Sequence, residues 1–260
     1  MGSERTFHIW RGDASGGEFK TYRVPVDQGM VVLDAILRVQ ATQANDLGVR
    51  WNCKAGKCGS CSMEINGKPR LACMTRLNTF GPDTEITVQP LKTFPLIKDL
   101  VTDVSWNYRQ NERIPPFKIG EPGPDGQYRM YQEDVDRVQE FRKCIECFLC
   151  QDVCHVLRDR DRKDAFVGPR FMARLASLEM HPLDVEDRIP EIKAIFGSGM
   201  CNITRCCTEV CPEHIQITDN AIIPLKERVV DRYYDPLQRL VRAITGRKLR
   251  TRPRKLPMKS

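Results

Sequence analysis

Cys144-Ile145-Glu146-Cys147-Phe148-Leu149-Cys150-Gln151-Asp152-Val153-Cys154 is the stretch from which the rest of the chain can be read. Its spacing is that of a run whose first three thiolates hold one iron-sulfur cubane while the fourth ligates a second cluster. Such a run requires a mirror image. Positions 201, 204, 207 and 211 carry Cys201, Thr204, Cys207 and Cys211, followed by Pro212. One corner has lost its thiolate, and a neutral threonine hydroxyl is a far weaker ligand for iron held by soft, deprotonated sulfur. Crossing the two runs assigns Cys144, Cys147, Cys150 and Cys211 to a complete 4Fe-4S cluster. Cys154, Cys201 and Cys207 remain, and three thiolates suit a 3Fe-4S cluster. Cys206 lies out of register beside Cys207; it is either a fourth ligand there or, by default, a small buried thiol.

Working outward, an earlier group reads Cys53-x4-Cys58-x2-Cys61 with Cys73 further on, the pattern of a plant-type 2Fe-2S site. Gly56 and Gly59 permit a tight loop whose amide hydrogens can turn towards cluster sulfurs. Lys54 and Lys57 put positive charge near an anionic cluster, which favours its reduced state. Structural zinc fits less well, because a zinc site needs only four ligands, commonly from two Cys-x2-Cys or Cys/His pairs, whereas here third and fourth cysteines recur within single runs. Disulfides require an oxidising compartment, and residues 1–21 show no apolar core of a signal peptide. A reducing, cytosolic setting is expected.

The chain has 260 residues, 41% of them hydrophobic, with 17 prolines and 17 glycines, which suits two small domains rich in loops. Phe7 to Trp10 and Tyr22 to Val26 flank a glycine turn and predict a hairpin. Met30, Val31, Leu33, Ile36, Leu37 and Val39 form the apolar face of a predicted helix, with Asp34 and Arg38 four apart on the other face. Cys61 to Ile65 and Arg70 to Met74 are joined at Asn66-Gly67, a strong hairpin signal, and Glu85 to Val88 closes the sheet. Hairpin, helix, ligand loop, hairpin and strand resemble the β-grasp fold of plant-type ferredoxins. Between Trp106 and Tyr128 the prolines and glycines predict a linker unable to continue a helix or central strand. Helices are predicted over Val135 to Cys147, Phe171 to Met180, Pro190 to Phe196 and Ile222 to Tyr233. The expected fold is α+β: residues 1–105 a β-grasp 2Fe-2S domain, residues 106–260 an α-helical, bacterial-ferredoxin-like domain with two clusters.

From Leu237 onward there are nine Lys or Arg and no acid, so the overall charge of +7 leaves −2 for the rest of the chain. A basic tail of this kind suits anionic lipid headgroups, at about 1 kcal/mol per basic residue near the surface, or an acidic partner subunit; a solvated tail is the simplest alternative. No nucleic-acid motif or aromatic interleaving accompanies the charge. No stretch reaches the roughly 20 apolar residues of a membrane span, so a membrane role requires anchoring partners.

Taken together, Cys58-Gly59-Ser60-Cys61-Ser62-Met63, Leu71-Ala72-Cys73, the Cys144 to Cys154 run and Cys201-x5-Cys207-x3-Cys211-Pro212 resemble the iron-sulfur subunits of succinate dehydrogenase and fumarate reductase. The resemblance covers nearly the whole chain. It implies 2Fe-2S, 4Fe-4S and 3Fe-4S clusters between an FAD-containing flavoprotein subunit and a membrane-anchor subunit with quinone and, in some members, haem. It further implies a peripheral place on the cytoplasmic face of the cell membrane, and no catalytic acid or nucleophile on this chain. Many relatives carry Pro after the last cysteine of the first helical-domain run, and those linked to ubiquinone add Ser and a Trp pair, where this chain has His155-Val156-Leu157. They also have His where Asn202 stands. These departures favour menaquinone, with His155 a candidate quinone contact or a histidine packed beside the cluster. Fumarate reduction, and a ferredoxin-like carrier for another flavoenzyme, are the alternative functions.

Overall fold

The computed structural model describes residues 3–236, 240, 243 and 244. Nearly all of the basic tail from Leu237 lies outside the described residues. The first strands are β1 (Ser3–Asp13) and β2 (Gly16–Val26), followed by helix α1 (Val32–Thr42). Then come β3 (Ser62–Ile65), β4 (Lys68–Leu71), β5 (Ile86–Gln89), β6 (Leu96–Lys98) and β7 (Val101–Thr102). Among the described residues these seven strands form one sheet in the order β4-β3-β5-β1-β6-β7, with β2 on β1. β1 runs antiparallel to β2 and parallel to β5, pairing Phe7 with Ile86 and Ile9 with Val88.

The sheet follows its period-2 pattern. Phe7, Ile9, Val24, Ile86 and Val88 are fully buried. The apolar stripe of α1, Val32, Leu33, Ala35, Ile36 and Val39, is buried as well. Each Val, Leu or Ile of this kind contributes about 1.5–3 kcal/mol by leaving water. At the β3–β4 turn, Asn66 and Gly67 take φ of 47° and 72°, the left-handed pair that a two-residue hairpin needs.

Asp34 and Arg38 do not pair with each other. Asp34 accepts the Val31 N–H at 3.1 Å, capping α1, and Arg38 reaches Asp27 at 3.0 Å. Helix termini leave unpaired amides, so the short Asp34 side chain is better used there.

The later helices are α2 (Ser105–Glu112), α3 (Gln132–Gln139), α4 (Leu149–Asp152), α5 (His155–Arg158), α6 (Pro169–Glu179), α7 (Ile189–Ala194), α8 (Cys206–Glu209) and α9 (Ile223–Tyr233). Two sequence expectations are corrected. The predicted linker begins with α2, because the helix breakers start only at Ile114-Pro115. The helix predicted to reach Cys147 becomes 3-10 at Glu140–Lys143 and stops, since Glu146 and Phe148 adopt φ of 56° and 59°, angles no α-helix contains.

The chain separates into two compact units, one drawn from Met1–Arg109, Cys144–Arg162 and Cys206–His214, the other from Gln110–Lys143, Lys163–Arg205 and Ile215–Ser260. In the first, Arg158 pairs with buried Glu64 at 2.8 Å, the Thr93 N–H donates to Asp152 at 3.0 Å, and Gln151 meets Asn107 at 3.3 Å. These contacts tie the segment that carries the Cys144 to Cys154 run to β3, to the loop between β5 and β6 and to α2. In the second, α6 buries Phe171, Met172, Leu175 and Leu178, while a π-helical turn at Ile217–Ile222 leads into α9. The Pro-rich segment is strapped to this unit. Gly120 N–H donates to Leu183 O, Val185 N–H donates to Lys118 O, and fully buried Arg188 donates to the Pro115 and Pro116 carbonyls.

Candidate functional site

Cys53, Cys58 and Cys61 lie on the loop between α1 and β3, and Cys73 on the turn after β4. Backbone amides converge on their sulfurs. Ala55 and Lys57 N–H donate to Cys53 Sγ at 3.4 and 3.3 Å, and Cys53 and Ser60 N–H donate to Cys58 Sγ at 3.5 Å. Cys73 N–H donates to Cys61 Sγ at 3.4 Å. Left-handed φ at Lys54, Gly56 and Gly59 (54°, 67° and 69°) winds the loop so that successive N–H groups face inward, an arrangement suited to anions. Burial acts against Cys58, but the hydroxyl and amide of Ser60 and the Cys53 backbone outweigh it and hold Cys58 down to about 6. Cys61 is pushed up to about 12, chiefly by burial, with the Cys73 and Cys58 thiols adding to it.

Cys144, Cys147, Cys150 and Cys211 all belong to the first unit. Cys147 is pushed up to about 12 by burial and by neighbouring Cys144 and Cys211. Cys150 is driven well above its ordinary range by burial, with Cys147, Cys144, Cys207 and Cys211 around it. Desolvated thiols such as Cys147 and Cys150, each raised further by neighbouring thiols, ionise together only where a metal supplies the compensating charge, and a coordinated thiol is deprotonated outright. The donor set therefore fits an iron-sulfur group.

The remaining candidates divide. Cys154, the buried residue that precedes α5, and Cys207, buried on α8, lie in the first unit, and Cys201 in the second. Cys201 Sγ accepts the Ile203 N–H at 3.5 Å in a loop where Ile203 and Arg205 have φ of 61° and 64°, costly for a β-branched residue. Lys226 Nζ donates to the Cys201 carbonyl at 2.6 Å. Cys206 is half-buried rather than buried, being the outward neighbour of Cys207. His155 opens α5, and its Nε2 is shielded with no hydrogen-bond partner among the described residues.

Residue-level reading missed three partners. Lys57 pairs with Glu213 at 3.1 Å, so its ammonium has a carboxylate partner rather than standing alone beside the loop. Lys54 sits 4.7 Å over the Trp51 ring. Glu64, buried on β3, lies beside Asp152, which burial, with Glu64 adding to it, pushes up to about 7. The available signal was a carboxylate amid the apolar run Met63-Glu64-Ile65.

Comparison with known proteins bears on the whole chain. Residues 6–108 match the family model of a 2Fe-2S iron-sulfur cluster binding domain, and residues 140–215 that of a 4Fe-4S dicluster domain. The fumarate reductase iron-sulfur subunit of Mycobacterium tuberculosis is 32% identical over 77% of this chain and 82% of its own length. The succinate dehydrogenase iron-sulfur subunit of Paracoccus denitrificans is 30% identical over 88% of this chain and 89% of its own. This chain belongs to the succinate dehydrogenase and fumarate reductase iron-sulfur subunit family. A chain of the Mycobacterium smegmatis Sdh1 complex in the apo form superposes with a TM-score of 0.87 at 62% identity, covering 91% of this chain and all of that one. An uncharacterized iron-sulfur protein of Methanococcus maripaludis is 33% identical over 89% of this chain, which spans only 45% of that longer relative. A member of this family, with a 2Fe-2S and a dicluster domain, is the electron-transferring part of an oxidoreductase complex. No described helix is long and apolar enough to cross a membrane.

Proposed function

We propose that this subunit carries single electrons between the FAD of a flavoprotein subunit and a quinone, menaquinone by the residues at His155 and Asn202, held at a membrane-anchor subunit with or without haem. The physiological direction is succinate oxidation. The 62% identity to a chain of the Sdh1 complex along its full length supports that direction; fumarate reduction would run through the same residues in reverse.

In this reading Cys53, Cys58, Cys61 and Cys73 hold a 2Fe-2S cluster, Cys144, Cys147, Cys150 and Cys211 a 4Fe-4S cluster, and Cys154, Cys201 and Cys207 a 3Fe-4S cluster. Residues 1–105 and 106–260 are retained as the two functional modules, with the basic tail from about residue 237 set against anionic lipid at the cytoplasmic membrane surface. The clusters supply the one-electron redox capacity that side chains lack. The protein's own part is to hold them: thiolates bind iron, the amides of Ala55, Lys57 and Ser60 stabilise negative charge on the ligating sulfurs, and buried apolar walls exclude water. His155, with its shielded Nε2, is the candidate quinone contact.

What supports the proposal is that Cys147 and Cys150 are desolvated and feel neighbouring thiols, Cys144 and Cys211 among them, in the unit that also bears the amide-lined cysteine loop. Low-temperature electron paramagnetic resonance of the anaerobically purified complex, with iron and acid-labile sulfide counted, tests it. An oxidised 3Fe-4S signal with reduced 2Fe-2S and 4Fe-4S signals is expected. Sulfide matching two cubanes would make Cys206 a ligand, and zinc without sulfide would overturn the reading.

A further inference from the structure

We infer that Gly59 is a positioning residue that sets the spacing between the 2Fe-2S ligand loop and the 4Fe-4S ligand run. The inference rests on the ligand assignment proposed above. Gly59 lies between Cys58 and Cys61 and meets Cys147, the middle thiol of the other set. A β-carbon at position 59 would stand 2.6 Å from Cys147 Cα, 2.9 Å from its Cβ and 3.0 Å from its amide nitrogen. Those atoms are backbone or directly attached to it, so they cannot swing aside; any side chain at 59 must push the two loops apart. Both segments lie within one compact unit, although they belong to separate sequence families, residues 6–108 and 140–215. The Lys57–Glu213 ion pair at 3.1 Å ties the same loop to the segment that carries Cys211, Glu213 following Cys211 by two residues.

The other glycine of this loop serves as a matched comparison. Gly56 has nearly the same backbone angle, φ 67° against 69°, but a β-carbon there would meet only the Met74 side chain, 2.9 Å away, at its mobile Cγ and Sδ. Gly67, at φ 72°, has nothing within 4 Å. Alanine at any of the three imposes similar left-handed strain. Only at 59 does it also displace a ligand of the second set.

Magnetic coupling reads the spacing directly. In the purified complex, the reduced 2Fe-2S signal should relax faster once the nearby 4Fe-4S cluster is reduced too, because dipolar enhancement falls steeply with distance. Gly59→Ala should lose a measurable part of it while iron and labile sulfide are retained, whereas Gly56→Ala and Gly67→Ala keep it. Full enhancement in Gly59→Ala, or equal loss in Gly56→Ala, overturns the inference. Should Gly59→Ala lose iron, Lys57→Glu decides, because it sets like charges against each other where the same loop meets the segment that carries Cys211, the fourth thiol of that set. Weaker coupling at low ionic strength, restored by salt that screens the repulsion, supports a spacing role; coupling indistinguishable from wild type at both ionic strengths rejects it. A wild-type complex with neither reduced signal would instead sink the ligand assignment, and the inference with it.

Discussion

At the scale of single residues, neighbouring cysteines differ by direction. Cys207 is buried on α8 and Cys206 half-buried, since adjacent helical residues face different ways. Cys206→Ser is therefore expected to leave iron and labile sulfide unchanged; loss of iron would make it a ligand. His181 is a second case in which position decides chemistry. Its Nδ1 accepts the Leu183 N–H at 3.2 Å and its ring meets Phe117 edge-on at 5.0 Å. Burial, with Arg142 acting the same way and Asp184 opposing, holds its pKa below the ordinary 6.5. The folded chain then binds that proton less readily than the unfolded chain, so this contribution to stability is complete above 6.5 and lost as pH falls through the folded value. The Leu183 amide should lose protection relative to its neighbours between about pH 7 and about pH 5, where histidine titrates. Unchanged relative protection in hydrogen exchange would count against the assignment. The three cysteine groups were legible at this scale because iron-sulfur spacing is local. Glu213 as the partner of Lys57 was not, since the two lie far apart in sequence.

At the scale of elements, local rules worked where a pattern closed on itself. The Asn66-Gly67 turn, the β1–β2 hairpin and the buried stripe of α1 all follow from residues within one turn or one hairpin. They failed where strain or strapping intervened. The run at 144–150 leaves the helix because Glu146 and Phe148 go left-handed, a conformation that composition does not announce. The Pro-rich segment after α2 reads as a loose linker, yet Arg188 and Asp184 bind it. The Arg188 guanidinium lies 3.0 Å from Asp184, with both side chains essentially inaccessible to solvent. Removing one partner of such a pair costs about 3–5 kcal/mol because the other charge is left buried alone. Arg188→Ala should therefore speed exchange of the Gly120 and Val185 amides by about a hundredfold or more, at a tenfold per roughly 1.4 kcal/mol. The double variant Arg188→Met with Asp184→Asn should recover much of the protection. If the single variant leaves both amides as protected as before, the strap does not depend on the pair.

At the scale of the whole molecule, the described chain is not divided where its sequence modules meet. The run Cys144–Arg162 lies in the unit of the sheet, tied there through Glu64–Arg158 and Thr93–Asp152. Cooperative units tend to open together, so in mild denaturant the amides of Gln151 and Asp152 should lose protection with β3 and β5, not with α6. Concerted loss with α6 would show that the helical residues open as their own unit. The sequence by itself determined the α+β class, the three cysteine groups and the family resemblance, because thiolate spacing, hairpin turns and apolar periodicity are all encoded over a few neighbouring residues. Only the tertiary structure decided that Gly59 abuts Cys147, that Lys57 pairs with Glu213, and that the segment of the Cys144 to Cys154 run is tied to β3 through Arg158 and Glu64. Those contacts join positions dozens of residues or more apart, and which distant partners meet depends on how complete elements pack rather than on any local pattern.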